Sequence, residues 1–134
     1  GGAFASAFES DTLFQDCRIL RSYAEFSGGA IVVGDQGIVT LERVDIDDGF
    51  SGNAAGAIFL AGPQGDNGIL RMIDCRLRRN WNGFSGPGGL SCASYRFEMQ
   101  GSLWEDNGCG HGDYYGWTQT RDPDVVGPQD PRSG

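Results

Sequence analysis

The tetrapeptide Gly28-Gly29-Ala30-Ile31 decides the fold, because similar blocks recur along the chain. These blocks are Gly1-Gly2-Ala3-Phe4, Ala55-Gly56-Ala57-Ile58 and Gly88-Gly89-Leu90-Ser91, and successive blocks start 27, 27 and 33 residues apart. Such a period is typical of a solenoid, since one short block cannot bury its own apolar face and must stack on its neighbours. The repeat therefore predicts a coil of stacked rungs, each rung being one turn of the chain.

The composition favours strands over helices in every rung. Glycine supplies 23 of the 134 residues, and each block carries a short apolar run bounded by Gly, Asp, Asn or Pro. Long helical periodicity is absent. We therefore expect an all-β, right-handed parallel β-helix solenoid of about four rungs over residues 1–117, followed by an irregular, extended, Pro-containing tail over residues 118–134.

Superposing the blocks aligns apolar residues into columns, as expected where equivalent side chains stack in a solenoid interior. The predicted core ladder is Ile19, Ile46, Leu77 and Trp104. Two further interior columns are Phe14, Leu41, Met72 and Met99, and Cys17, Val44, Cys75 and Ser102. The alternation of apolar residues slips between Met72 and Cys75, which predicts a bulge or corner at that place.

Charged residues also fall into columns, and their signs alternate from rung to rung. The predicted charge ladder is Arg21, Asp48, Arg79 and Asp106. Two shorter columns are Asp16, Arg43 and Asp74, and Arg18, Asp45 and Arg76. Opposite charges on adjacent strands attract by about 0.2–1 kcal/mol per exposed pair. Pairing between rungs accounts for most of the carboxylates and disfavours a slipped register.

The blocks Leu77-Arg78-Arg79-Asn80 and Trp104-Glu105-Asp106-Asn107, the segment 50–58 and the Gly28-Gly29-Ala30-Ile31 block resemble the polymorphic outer membrane protein repeat. Its marks are an aromatic-x-x-Asn tetrapeptide followed by Gly-Gly-Ala-aliphatic, and the similarity covers residues 1–112. The resemblance implies a right-handed parallel β-helix of the pectin-lyase-like kind. It also implies a role in adhesion or surface structure, with no catalytic residues to carry over.

This chain departs from the repeat at three places. Ser22 and Gly49 stand at the Asn level in two rungs, and Gly88-Gly89-Leu90-Ser91 loses the Ala. Asn53 is an alternative occupant of the Asn column in place of Gly49. That alternative shifts a loop and leaves the fold unchanged.

The chain contains four cysteines. Cys17 and Cys75 share one interior column two rungs apart, too far for a disulfide, and are expected to be buried thiols. Cys92 and Cys109 lie near Gly-rich corners and form a candidate disulfide, with two free thiols as the alternative. A zinc site from Cys92, Cys109 and His111 lacks a fourth ligand and paired Cys-x-x-Cys spacing.

A weak catalytic alternative combines Asp47, Asp48 and His111. Polygalacturonase-type β-helix enzymes carry an Asp-Asp pair followed by Gly-His-Gly, here Gly110-His111-Gly112. Such carboxylates protonate a glycosidic oxygen and activate water. No Asn-x-Asp precedes the pair and no Arg-x-Lys follows the histidine. A polysaccharide lyase needs a converging acidic calcium site, whereas Asp45 and Asp47 alternate with Arg columns.

Composition also limits the partners. The formal net charge of −8 disfavours nucleic acid, and no apolar run approaches the roughly 20 residues of a membrane-spanning helix. No cofactor is expected. The first rung is cut at Gly1, so we expect it to abut another subunit or further repeats, with Phe4, Phe8 and Phe14 otherwise in water. Tyr114, Tyr115 and Trp117 are expected to cover the last rung.

The sequence thus predicts a non-catalytic structural or adhesive segment of a larger cell-surface or extracellular protein or assembly, acting by protein-protein contacts. The periplasm or an organelle lumen is the alternative location. A carbohydrate-active β-helix enzyme or a carbohydrate-binding module is the alternative function, with polysaccharide as the ligand.

Overall fold

The computed structural model describes residues 2–6, 9–34, 36–53, 55–60, 68–83, 88–92, 96–109 and 117–119. These residues form strands and no helix. The strands are β1 (Phe4–Ser6), β2 (Asp11–Leu20), β3 (Tyr23–Ala24), β4 (Ile31–Val33), β5 (Ile38–Asp47), β6 (Phe50–Ser51), β7 (Ile58–Leu60), β8 (Ile69–Ile73), β9 (Arg76–Arg78), β10 (Trp81–Asn82), β11 (Leu90–Cys92), β12 (Arg96–Gln100), β13 (Leu103–Glu105), β14 (Gly108–Cys109) and β15 (Trp117–Gln119).

Each rung contributes to three parallel sheets. Sheet A runs β1-β4-β7-β11-β15, and sheet C runs β3-β6-β10-β14. In sheet B the long strands β2 and β5 pair with each other, and β5 pairs with both β8 and β9, which β12 and β13 follow. The predicted all-β parallel solenoid is confirmed, with about three turns between its first and fourth rungs. The right hand of the coil stays a prediction.

The predicted core ladder is confirmed. Ile19 lies opposite Ile46, Ile46 opposite Leu77, and Leu77 opposite Trp104. Ile46 and Leu77 are fully buried, because each has a neighbour in the rung above and the rung below. The column that starts at Phe14 is confirmed in the same way, through Leu41, Met72 and Met99.

The fourth block lies one residue away from its predicted register. Leu90 pairs with Ile58, so the interval between equivalent residues is 32 rather than 33. The amide of Ala57 donates to the Gly89 carbonyl, just as the Ala30 amide donates to the Ala57 carbonyl. Gly89 therefore stands at the Ala level, and Leu90 fills the aliphatic position of sheet A. Matching the glycine pair was wrong because the buried aliphatic residue fixes the register.

Left-handed backbone marks two corners of each rung. The predicted corner between Met72 and Cys75 is confirmed at Asp74, which has a φ of 52° and separates β8 from β9. Its column shares this conformation, with φ values of 53° at Asp16, 52° at Arg43 and 62° at Gly101. The charge ladder forms the second such column, with φ between 51° and 57°. Since arginine rarely adopts positive φ, neighbouring rungs must hold it there.

Buried asparagines join the rungs just after the second corner. The Asn80 side chain donates to the Ile46 carbonyl at 2.9 Å and accepts the Gly49 amide at 2.9 Å. Asn107 repeats these bonds one rung later, towards the Leu77 carbonyl and the Asn80 amide. The Asn level therefore includes Gly49, as first aligned. The alternative place for Asn53 is wrong, because the Asn53 amide donates to the Phe26 carbonyl in a different column.

Replacing Ile46 by Ala should lower the free energy of unfolding by about 2–5 kcal/mol, because the cavity is enclosed on both sides. The matched change Ile19→Ala, in the same column, should cost about half as much, since Ile19 is only partly buried. Urea unfolding followed by circular dichroism measures both. Equal losses of unfolding free energy would contradict the partial exposure of the first rung.

Asn80→Ala should destabilise the fold by about 2–4 kcal/mol, because it leaves the Gly49 amide and the Ile46 carbonyl without their buried partner. The exposed Asn53→Ala is the matched control and should change stability by less than about 0.5 kcal/mol. Thermal unfolding compares the two. Similar melting temperatures for both variants would show that the asparagine bonds add no net stability.

Candidate functional site

Each charge ladder contains one ion pair between adjacent rungs. Arg79 binds Asp48 through two hydrogen bonds, Nε to Oδ1 at 2.7 Å and Nη2 to Oδ2 at 3.2 Å. Arg43 binds Asp16 in the same two-pronged manner. Arg18 lies 3.8 Å from Asp45 in the third column. The predicted alternation of sign is therefore present in contacts between the first three rungs.

Asp47 is the most enclosed of these carboxylates. Its side chain is 1% exposed and accepts bonds from Arg78 Nε at 2.9 Å and Arg78 Nη2 at 2.7 Å. A longer contact of 3.4 Å comes from Arg18 Nη2, on the opposite rung. Asp47 thus lies between guanidinium groups from rungs one and three. Two long arginine side chains cover it from solvent.

These contacts determine what the Asp47-Asp48 pair can do chemically. The hydrogen bonds from Arg78 hold the pKa of Asp47 below its ordinary value, and those from Arg79 do the same for Asp48. A general acid for glycoside hydrolysis needs a raised pKa so that it carries a proton near neutral pH. Both carboxylates are therefore poised as ion-pair partners.

His111, the third member of the weak catalytic alternative, lies outside the described residues. Cys92 ends a strand of sheet A and Cys109 ends a strand of sheet C, but their side chains are also outside the description, so the disulfide stays a prediction. Cys17 and Cys75 are free thiols, as predicted, but only Cys75 is buried; the predicted burial of Cys17 is wrong, because the first rung has a described neighbour on one side only. Burial raises the pKa of the Cys75 thiol. In the described part of the chain, no three His, Cys, Asp or Glu side chains gather as metal ligands.

An aromatic column on the outer face of sheet C was missed by the sequence reasoning. Tyr23, Phe50 and Trp81 lie in register on successive rungs. The rings of Tyr23 and Phe50 stack with centroids 5.6 Å apart and planes 3° apart. Tyr23 is 64% exposed and Trp81 44% exposed. The signal was available as an aromatic residue repeating at intervals of 27 and 31.

The first rung exposes part of what the other rungs bury. Its interior residues Phe4, Phe14, Cys17 and Ile19 are only partly buried, whereas their partners in the second rung are fully buried. Strands β1, β2 and β3 each have one described neighbour, on the side of the second rung. Their other edge carries backbone groups with no described partner strand. Phe8 lies outside the described residues.

The interior side chains of the fourth rung are more fully buried than those of the first rung. Trp104 is 5% exposed, packs edge-on against Phe97 and donates its indole N–H to Met99 Sδ at 3.1 Å. Phe97 is fully buried. Tyr114 and Tyr115, expected to cover this end, lie outside the described residues, and of Trp117 only the backbone pairing with Leu90 is described.

No known protein family, curated protein or solved structure matches this chain. The fold agrees with the parallel β-helix implied by the polymorphic outer membrane protein repeat, but no family match supports the repeat itself. Across the described ranges the structure contains no helix with the length and apolar character needed to cross a membrane.

Asp47→Asn should lower the free energy of unfolding at pH 7 by about 1–3 kcal/mol, because two arginines lose a buried carboxylate. The pKa of Asp47 is lowered from its ordinary 3.8, so its contribution is present above that pH and disappears as the pH falls through the lower folded-state value. Urea unfolding at neutral and acidic pH should show the two proteins converging in acid. The exposed Asp11→Asn is the control, and a constant difference at all pH values would contradict this role.

Proposed function

We propose that this chain is a non-catalytic structural or adhesive segment of a larger cell-surface or extracellular protein or assembly, of the polymorphic outer membrane protein type. It acts through protein-protein contacts, with other subunits or further repeats of the same protein as partners. One observation carries the proposal. The first rung leaves four interior apolar side chains partly exposed beside three strand edges that have no partner strand among the described residues.

An open edge of this kind is costly for an isolated protein. Partly exposed apolar rows lose part of their burial energy, about 25 cal/mol per Å² of surface left in water. Unpaired N–H and C=O groups also act as a template for another strand. A contacting rung removes both costs, so the edge favours association.

The arrangement of charges supports a contact role over catalysis. A glycosidase mechanism would need Asp47 and Asp48 as its catalytic carboxylates. Both bind arginines from neighbouring rungs. Their lowered pKa values suit a permanent negative charge. We expect no release of reducing sugar from polygalacturonate. Activity that disappears in Asp47→Asn with folding intact would overturn the non-catalytic part of the proposal.

The contact role is tested by sedimentation velocity of the full chain across micromolar concentrations. We expect concentration-dependent association that Phe14→Lys abolishes, because a charge at this partly buried position repels a second apolar edge. Leu13→Lys, which replaces the neighbouring residue of β2 that is 58% exposed, is the matched control and should still associate. Circular dichroism checks that both variants fold. A monomer at every concentration would contradict the proposal.

A second candidate is polysaccharide binding on the outer face of sheet C, favoured by the aromatic column. One ring face of Tyr23 stacks on Phe50, and the side chain is 64% exposed. Sugar rings pack their C–H faces on such rings. Titration with oligogalacturonides, followed by tryptophan fluorescence because Trp81 is 44% exposed, tests this function. A response lost in Tyr23→Ala would favour it over pure protein contact.

A further inference from the structure

The open edge of the first rung already has the backbone shape of an internal rung. Asp16 and Arg21 have φ values of 53° and 51°, and their second-rung equivalents Arg43 and Asp48 have 52° and 57°. A rung that docks on this edge therefore meets the same geometry that joins the second and third rungs. This inference rests on the proposed contact function and concerns what the edge recognises.

Equivalent residues make the same backbone hydrogen bonds from rung to rung. At the second corner the Arg21 amide donates to the Asp47 carbonyl, and the Asp48 amide donates to the Arg78 carbonyl, both at 3.0 Å. By this pattern the Leu20 carbonyl would accept an amide from a rung placed before the first. The Phe50 amide donates to the Ser22 carbonyl, so the Tyr23 amide is the matching donor at the open edge. The edge thus offers an acceptor and a donor in the frame of a parallel strand.

Side-chain charge distinguishes one incoming strand from another. In the first three rungs the sign alternates along each of these columns, and Arg43 pairs with Asp16 and Arg79 with Asp48. Along the open edge the charges are negative at Asp16 and positive at Arg18 and Arg21, and the side chains of Asp16 and Arg18 are 61% and 60% exposed. A strand in register would therefore need a basic residue, then an acidic residue two positions later, then another acidic residue three positions after that.

We propose that the first rung binds a strand of a partner polypeptide that carries this basic-x-acidic-x-x-acidic pattern, in parallel register and by strand addition to sheet B. Apolar residues of that strand cover Phe14, Cys17 and Ile19. The chain's own second rung has the pattern as Arg43-Val44-Asp45-Ile46-Asp47-Asp48. The fourth rung of a second copy matches at one position of three, since it presents Gly101, Leu103 and Asp106 in these columns. A head-to-tail copy is therefore the poorer partner.

A labelled peptide of residues 38–53 serves as the probe, and fluorescence anisotropy measures its binding to the full chain at low salt. The matched control exchanges two charges within the peptide, Arg43→Asp together with Asp45→Arg, and so keeps its composition. We expect the control to bind about tenfold more weakly, because two attractive columns become repulsive. A peptide of residues 96–109 represents the second copy and should also bind more weakly.

Disulfide trapping locates the binding site. Cys17 lies opposite Val44 inside the solenoid, so a Val44→Cys peptide bound in the same register to the open edge places its thiol beside Cys17. We expect an adduct on air oxidation that the Cys17→Ser chain does not form. An adduct that survives in the Cys17→Ser chain would overturn the proposed site.

Equal binding of the native and exchanged peptides would overturn the charge pattern, and tightest binding of the 96–109 peptide would identify a second copy as the occupant instead. Failure of every peptide to bind would overturn strand addition. If the full chain still associates in a manner that Phe14→Lys abolishes, the contact function stands and only this inference fails. If that association is absent too, both proposals fail.

Discussion

The fold depends on one constraint, that each rung lies directly on the next at the spacing of hydrogen-bonded strands, about 4.8 Å. The close approach of backbones is clear at the glycine column of Gly2, Gly29 and Gly56. A Cβ at Gly29 would overlap the Gly56 carbonyl oxygen and the Phe50 backbone, and one at Gly56 would overlap the Gly88 carbonyl oxygen. Glycine is therefore required at this level of the first three repeats, where sheet A approaches both the next rung and sheet C.

Stacking also determines how the charged residues are used. Equivalent side chains of adjacent rungs are close enough that like charges repel and opposite charges pair. Asp47 illustrates the consequence, since Arg18 and Arg78 reach it from both sides and leave it 1% exposed. A carboxylate held in this way contributes to rung order. The same contacts lower its pKa and remove the solvent access that a hydrolytic site would need.

The sequence was most informative where a column repeats one physical requirement. Ile19, Ile46 and Leu77 were predictable because every interior rung needs an apolar residue at that level. Backbone conformation was harder to predict, since an arginine such as Arg79 has no preference for its observed φ of 51°. The register at Leu90 was missed because glycine pairs were matched ahead of the aliphatic residue. The partial exposure of the first rung could be expected. The aromatic column on sheet C was harder to predict, because Tyr23 and Trp81 are exposed and no burial requirement fixes the residue type at that level.

The two ends of the described solenoid differ in how far their interior columns are buried. At the fourth rung Trp104 contacts both Phe97 and Met99 and remains almost fully buried. At the first rung the same column ends in Ile19, which is smaller and stays partly exposed. Yet Asp16 and Arg21 keep the left-handed corners of an internal rung. An edge that retains internal geometry, partly exposed apolar residues and exposed charged side chains is suited to continue the stack, and this makes the first rung the centre of the proposed contacts.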